Sequence, residues 1–161
     1  WNDITGAPVF DVRGDYAARY DDYPGGPPGN PGGFSSTQIS TGVNTTYTVP
    51  SPRPARLTVS ADLLAWRAAD GSTYFCDRAT CASPTLVAGA TSADVAIDAD
   101  YMYMATPAGV LRCATSEMVG AGTCTTDLFA PTAGAALQLV LTSTTLYART
   151  AEPSIVAFTI P

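Results

Sequence analysis

The fold is decided by a pattern that is clearest in residues 94–113, DVAIDADYMYMATPAGVLRC. A short apolar strand is followed there by Asp100, by a second apolar strand and by a turn at Gly109. The pattern also occurs 38 residues earlier and, without its Asp and Gly, 44 residues later. The matching positions are Leu57, Val59, Asp62, Leu64 and Gly71; Val95, Ile97, Asp100, Met102 and Gly109; and Leu139, Leu141, Thr144, Leu146 and Pro153. A repeat of about 40 residues made of short strands and turns predicts a repeat architecture.

Each repeat is predicted to form short antiparallel strands, a unit of the size of one propeller blade. The predicted strands are 57–59, 63–67, 73–76 and 85–87; 94–97, 101–105, 110–113 and 127–129; and 137–141, 145–149 and 154–160. The third unit therefore ends one strand short of a blade. The predicted fold class is all-β, with propeller-like repeats of short antiparallel strands and an irregular, Pro/Gly-rich N-terminal arm.

The N-terminal third has a different composition. Residues 1–33 are expected to form an acidic, Tyr-containing arm with a Pro/Gly linker, because only Asn30 in residues 24–33 is neither Pro nor Gly. Pro removes hydrogen-bond donors and Gly favours the unfolded chain, so this run holds neither helix nor sheet. Residues 34–54 form a Ser/Thr-rich extended segment, and the repeat domain occupies residues 55–161. The segment contains a candidate donated strand at Thr46, Tyr47, Thr48 and Val49.

Composition excludes several classes of function. The net charge is -6, with 14 acidic residues against eight Arg and with no Lys or His. So few cations argue against nucleic acid and anionic membranes as partners. The sequence contains no apolar run of about 18 residues, so no membrane span is predicted. Without His and Lys, the usual general base, metal ligand and Schiff-base residue are missing. We therefore predict no catalytic residue, no cofactor and no metal site.

The two best-preserved units carry a family pattern. Its elements are Ala96-Ile-Asp98, Asp100-Tyr-Met-Tyr-Met104 and Gly109-Val-Leu-Arg-Cys113, with Leu64-Ala-Trp66, Gly71 and Phe75-Cys76 in the first unit. In this respect the C-terminal two thirds of the chain resemble the bacterial secreted relatives of YWTD-type β-propellers. The resemblance implies a scaffold and no particular reaction, since propellers perform unrelated tasks.

The four cysteines are placed as Cys76-x4-Cys81 and Cys113-x10-Cys124, each pair after the third strand of its unit. The second loop is longer by six residues, and so is the second repeat interval, 44 against 38. The added residues therefore belong inside the Cys loop, which favours a local disulfide in each unit. Disulfides imply an oxidising compartment, so we expect an extracellular or cell-surface protein. Free buried thiols and a four-cysteine zinc site are the alternatives.

Three other groups of residues have both a functional and a structural interpretation. The first is a group of aspartates that could bind calcium; we favour the alternative that they cap turns. They are Asp62, Asp94, Asp98 and Asp100. The second is a group of aromatic residues that could form a sugar-binding platform; we favour the alternative that they pack in the core. They are Trp66, Tyr103 and Tyr147. The third is a segment that could be either a binding arm or a tether packed on the domain. It contains Tyr16, Tyr20, Asp21, Asp22 and Tyr23.

A blade that lacks a strand leaves a hydrogen-bonding edge, and fewer than three blades cannot close a ring. We therefore expect closure between chains, as a ring of about six blades from two chains or as a filament. The favoured function is a non-catalytic extracellular assembly protein that self-associates by strand pairing through its N-terminal arm. Its partner is a second copy or another extracellular protein. A lectin-like or protein-binding module is the alternative, and a carboxylate-pair hydrolase comes last.

Overall fold

A computed structural model of the chain describes residues 9–21, 33–48, 53–81, 83–152 and 154–160. In these residues, fifteen strands and one short helix form four antiparallel sheets that follow one another along the chain. The all-β, propeller-like class predicted from the sequence is confirmed. Of the helices that the structure describes, none has the length and apolarity needed to span a bilayer.

The sheets are simple meanders in which each strand pairs with the next. Sheet 1 contains β1 (Val9–Arg13), β2 (Tyr16–Asp21), β3 (Gly33–Gln38) and β4 (Val43–Thr48). Sheet 2 contains β5 (Pro54–Val59), β6 (Leu63–Ala68), β7 (Ser72–Asp77) and β8 (Thr85–Thr91). Sheet 3 contains β9 (Asp94–Ile97), β10 (Tyr101–Thr106), β11 (Gly109–Ala114), helix α1 (Thr115–Ala121) and β12 (Asp127–Pro131). Sheet 4 contains β13 (Ala136–Leu141), β14 (Thr145–Thr150) and β15 (Ile155–Thr159).

Sheets 2, 3 and 4 correspond to the three repeats found in the sequence. Sheet 4 has three strands among the described residues, as the pattern predicted for the last unit. The backbone hydrogen bond that closes each unit recurs in all four sheets. It runs from the residue after the third strand to the residue before the second: Ile39 N to Asp15 O, Arg78 N to Asp62 O, Thr115 N to Asp100 O, and Ile160 N to Thr144 O.

The N-terminal region differs from the expectation of an irregular arm. Residues 9–21 and 33–48 form a fourth sheet of the same kind, although only one strand in this region, at 46–49, was predicted from the sequence. The reason is the cross-strand register, which places Val9, Tyr20, Phe34 and Tyr47 side by side on one face. Four widely spaced apolar residues thus become one contiguous surface that sheet 2 covers. Most of the Pro/Gly run lies outside the described residues, and its last residue, Gly33, begins β3.

Neighbouring sheets pack in one repeated way. We call the face of a sheet that packs on the following sheet its forward face, and the opposite one its rear face. Phe34 on the forward face of sheet 1 lies in one cluster with Trp66 on the rear face of sheet 2. A second cluster joins the forward face of sheet 2 to the rear face of sheet 3. The third joins sheet 3 to sheet 4, for example through Tyr103 and Leu146.

Two aspartates also tie neighbouring sheets together. The Oδ2 atom of Asp94 in β9 accepts a hydrogen bond of 2.9 Å from the backbone N–H of Leu139 in β13. The Oδ2 atom of Asp11 in β1 likewise accepts hydrogen bonds from Val59 N at 3.2 Å and Thr58 Oγ1 at 2.8 Å in β5. Because hydrogen bonds to a charged acceptor are the stronger kind, these carboxylates hold the first strands of adjacent sheets in place.

The recurring turn glycine is explained by close backbone approach. Gly109 has φ +127, and a Cβ added there would clash with the carbonyl oxygen of Ala130 in the outer strand. Gly71, its counterpart in sheet 2, has φ +89 and lies against Thr91. Both positions therefore need a residue without a side chain.

The cysteines are paired locally. Cys76 lies at disulfide distance from Cys81, and Cys113 from Cys124, as the loop lengths predicted. The longer loop contains the seven-residue helix α1, which the shorter loop lacks. Its Met118 packs beside Cys113 in the cluster between sheets 2 and 3. The insertion therefore extends the core locally without changing the sheet.

Candidate functional site

The centre of the molecule is a cavity of about 520 Å³ shared by all four sheets. It is lined where the first strand of each sheet turns into the second, by residues 12–16, 59–61, 97–99 and 141–143. The first strand is thus the inner strand of every sheet, and the last is the outer one. This arrangement around one axis is that of a β-propeller.

The first and fourth sheets meet at this cavity. The Nη1 atom of Arg13 donates a hydrogen bond of 2.7 Å to the carbonyl oxygen of Leu141. Its Nε atom lies 3.4 Å from Asp11 Oδ2. The guanidinium of Arg13 is therefore used in joining β1 to β13, and it is not presented to the cavity as a free anion site.

The carboxylates of Asp15 and Asp98 line the cavity, but their hydrogen bonds do not support the hydrolase alternative. Asp98 Oδ1 accepts hydrogen bonds from the backbone of Asp100 at 2.9 Å and Tyr101 at 2.7 Å, which is the turn-capping role favoured from sequence. Asp15 accepts from Ser40 N at 2.7 Å, Ser40 Oγ at 2.5 Å and Gln38 Nε2 at 3.0 Å. These donors lower the pKa of Asp15, whereas a glycosidase general acid needs a raised pKa.

The pKa of Asp15 is expected to lie below its ordinary value of 3.8, chiefly because the Ser40 hydroxyl donates to it. Its folded pKa is lower than its unfolded one. The carboxylate therefore stabilises the fold above the unfolded pKa, and this contribution is lost as the pH falls through the folded pKa. Ser40→Ala should move the pKa back towards 3.8 in a carbon-detected NMR titration. Ser143→Ala, at a serine of the cavity wall, is the control. Equal Asp15 pKa values in all three proteins would contradict the assignment.

The aromatic residues at equivalent positions do not form a sugar-binding platform. Trp66 and Tyr103 are both fully buried, and Tyr147 is 39% exposed. Trp66 packs between Phe34, at a ring distance of 5.0 Å, and Tyr74, at 5.7 Å. Burial, together with the nearby Asp98 carboxylate, raises the pKa of Tyr103 well above its ordinary value, so its hydroxyl stays protonated. Trp66 and Tyr103 are therefore core residues, which is the interpretation favoured from the sequence.

The calcium alternative also finds no support in the part of the chain that the structure describes. No group of three or more Asp, Glu, Cys or His side chains there is arranged to hold a metal ion. Asp94, which the sequence placed in that group, is buried between sheets and bonded to Leu139. Its role is to connect inner strands.

The predicted donated strand lies in sheet 1. Thr46, Tyr47 and Thr48 belong to β4, which pairs with β3; Val49 lies outside the described residues. The Tyr47 ring is buried, and its hydroxyl donates to the carbonyl oxygen of Arg78 in the Cys76–Cys81 loop. The strand thus completes its own sheet, and a role in assembly stays a prediction.

The outer edge of sheet 4 is formed by β15. Backbone hydrogen bonds from Thr150 N to Ser154 O and from Ile160 N to Thr144 O fix the alternation along β14 and β15. In an antiparallel pair, residues between the bonded ones turn their N–H and C=O groups away from the partner. Ile155, Ala157 and Thr159 therefore direct their backbone groups outward, and their side chains are exposed.

This edge is less protected than two of the other outer edges. The pairing of β8 and that of β12 are each interrupted by a register shift, and β12 also contains Asp127 and Pro131. Strand β15, with sequence IVAFT, has no charge, no Pro and no register shift. An apolar, regular edge of this kind favours pairing with another strand. Among the described residues, β14 pairs with the inner side of β15 and no strand pairs with its outer side.

Comparison with solved structures places this architecture among known folds. BamB from Moraxella catarrhalis aligns with a TM-score of 0.64 and 18% identity, over 98% of this chain and 43% of BamB. The computationally designed Ika4 protein aligns at 0.61 and 10% identity, over 96% of this chain and 92% of Ika4. The designed Ika8 protein aligns at 0.57 and 11% identity, over 95% of this chain and 58% of Ika8.

The chain has a β-propeller-like fold. It spans less than half of BamB, and at these identities the likeness concerns the fold alone. The sequence matches no protein-family model and no curated protein. The YWTD-type resemblance therefore stays a prediction, while the coarser propeller-like assignment is confirmed.

Sequence reasoning missed the contribution of sheet 1 to the cavity. A usable signal exists, because the positions 47 residues before Val59 and Asp62 are Val12 and Asp15. The Gly of the later units is replaced there by Pro24, and Leu64 by Ala17. Because these two positions differ, the first copy of the pattern is difficult to recognise in the sequence.

Proposed function

We propose that this chain is a non-catalytic, extracellular assembly module that binds a second copy of itself by β-strand pairing at the outer edge of β15. The observation that carries the proposal is this edge, with its outward backbone groups at Ile155, Ala157 and Thr159. A propeller-like fold provides a rigid scaffold for such a protein-binding surface. The two cysteine pairs at disulfide distance support an oxidising, extracellular setting.

Strand β15 of a second chain is the partner we propose. An uncharged edge is self-complementary, so two copies can pair antiparallel about a two-fold axis with Ala157 opposite Ala157. The pairing would convert two three-stranded sheets into one six-stranded sheet. Backbone hydrogen bonds would hold it together, and Ile155, which is 72% exposed, would gain a cross-strand neighbour.

A proline at the centre of the edge tests the proposal. Ala157→Pro removes one outward N–H and no hydrogen bond to β14, so the chain should fold while pairing is weakened. Light scattering after size exclusion should give wild-type protein a mass well above 16.6 kDa, and the variant a smaller mass. Ala157→Ser keeps the N–H and should behave as wild type. A wild-type mass for Ala157→Pro would refute edge pairing at β15.

The N-terminal donor expected from sequence provides a second possible partner strand, since β4 also has an outer edge. A Pro substitution at Thr46 reports on that edge. Loss of assembly both with Thr46→Pro and with Ala157→Pro would show β4 pairing with β15. An unchanged mass for Thr46→Pro would leave β15 as its own partner.

A further inference from the structure

The rear face of sheet 1 exposes apolar side chains at positions that are buried in the other sheets. Phe10 and Val12 correspond to Leu57 and Val59, which lie 47 residues later. Leu57 is 6% and Val59 0% exposed, because sheet 1 covers them. Phe10 is 69% and Val12 56% exposed. The pattern has thus built the same apolar face at the start of the chain, without a described sheet over it.

The forward face of sheet 4 shows the same contrast. Val140 and Tyr147 correspond to Ala96 and Tyr103, which lie 44 residues earlier. Ala96 is 1% and Tyr103 0% exposed, whereas Val140 is 54% and Tyr147 39% exposed. In sheet 3 these positions pack on the rear face of the next sheet.

The packing rule makes the two end faces complementary. Every interface within the chain joins a forward face to a rear face. Ala96 and Leu141, the counterparts of Val140 and Val12, belong to one buried cluster. A forward face of sheet 4 placed on a rear face of sheet 1 would therefore bring Val140 to Val12 and bury both.

We propose that a second copy of this chain occupies these faces. The forward face of sheet 4 in each copy packs on the rear face of sheet 1 in the other, so that two chains form one ring of eight sheets. This contact is separate from strand pairing at β15 and does not require it. It replaces the ring of about six blades expected from sequence, because the described residues of each chain contribute four sheets.

A second copy fits these observations better than closure within one chain. Arg13 already joins sheet 1 to sheet 4 through Leu141 O, yet Phe10, Val12 and Val140 remain more than half exposed. In the ring, the two ends of each chain separate and the Arg13–Leu141 bond is released. Arg13→Gln should therefore not weaken the ring.

The test starts from Ala157→Pro, in which edge pairing is blocked. Light scattering should still give twice the 16.6 kDa mass of one chain. Adding Val140→Glu, at a side chain exposed in the single chain, should raise the dissociation constant at least about tenfold. Leu128→Glu is the matched control, since Leu128 is 51% exposed on the outer strand β12, and it should leave the mass unchanged. Val12→Lys should weaken the ring alone and restore it when combined with Val140→Glu.

The outcomes separate the two proposals. A monomer for Ala157→Pro alone would overturn the ring and leave strand pairing intact. A dimeric mass for both that variant and wild type would overturn strand pairing and leave the ring. Equal effects of Val140→Glu and Leu128→Glu, or no rescue by Val12→Lys, would show that these faces are not in contact.

Discussion

Replacing Trp66 by Ala is expected to lower the free energy of unfolding by about 3 to 5 kcal/mol. Trp66 is fully buried where sheet 1 packs on sheet 2, in contact with Phe34 and Tyr74. Its removal takes away the largest side chain of that cluster and leaves a cavity that the sheets cannot close, because each is held by its own strand pairing. A loss of this size is a large part of the stability of an ordinary domain.

Equilibrium unfolding in urea measures the effect. Tyr147→Ala is the control, since Tyr147 stands one repeat beyond Tyr103 yet is 39% exposed. In dilute protein, where the ring is dissociated, this change should cost less than about 1 kcal/mol. A similar loss from both substitutions would show that sheet 1 does not cover Trp66 in solution.

Removal of the Cys113–Cys124 disulfide is expected to cost about 3 kcal/mol, and removal of Cys76–Cys81 about 2 kcal/mol. The order follows from loop length, because the cysteines are separated by 11 positions in the first pair and by 5 in the second. A longer closed loop restricts the unfolded chain more. The paired Cys→Ala variants retain an apolar side chain at each position, so buried Cys76 and Cys81 are not replaced by a polar group.

Urea unfolding of both double variants and of wild type, with and without reductant, provides the measurement. Reductant should destabilise wild type and each double variant, and it should have no effect when all four cysteines are Ala. Wild-type stability that does not respond to reductant would show that the pairs are not oxidised, and the extracellular assignment would lose its main support.

The repeats in residues 57–160 could be predicted because the same apolar positions recur in the inner strands, where each sheet packs on the preceding one. The repeated apolar residues can be recognised in the sequence because each packs at an equivalent position between two sheets. They are Leu57, Val59, Ile97 and Leu141. The local disulfides were predictable for a related reason. Loop length and repeat interval changed together, which places the insertion inside one Cys loop.

Sheet 1 could not be predicted in the same way. Its third and fourth strands, GFSSTQ and VNTTYT, are mostly polar, and the first two are separated from them by the Pro/Gly run. Ser and Thr give no period by themselves, so Phe34 and Tyr47 looked isolated. Only pairing in register brings these rings together with Tyr20 on one face.

The sequence by itself determined that this is an all-β chain of repeated antiparallel units, that its cysteines pair locally, and that residues 137–160 contribute three strands. It could do so because strand period, turn residues and loop length are local properties. The tertiary structure decided that the described residues form four sheets, that Tyr147 is 39% exposed while Trp66 and Tyr103 are buried, and which sheet faces remain uncovered. Those features depend on which surfaces meet across long sequence separations, and no single segment carries that information.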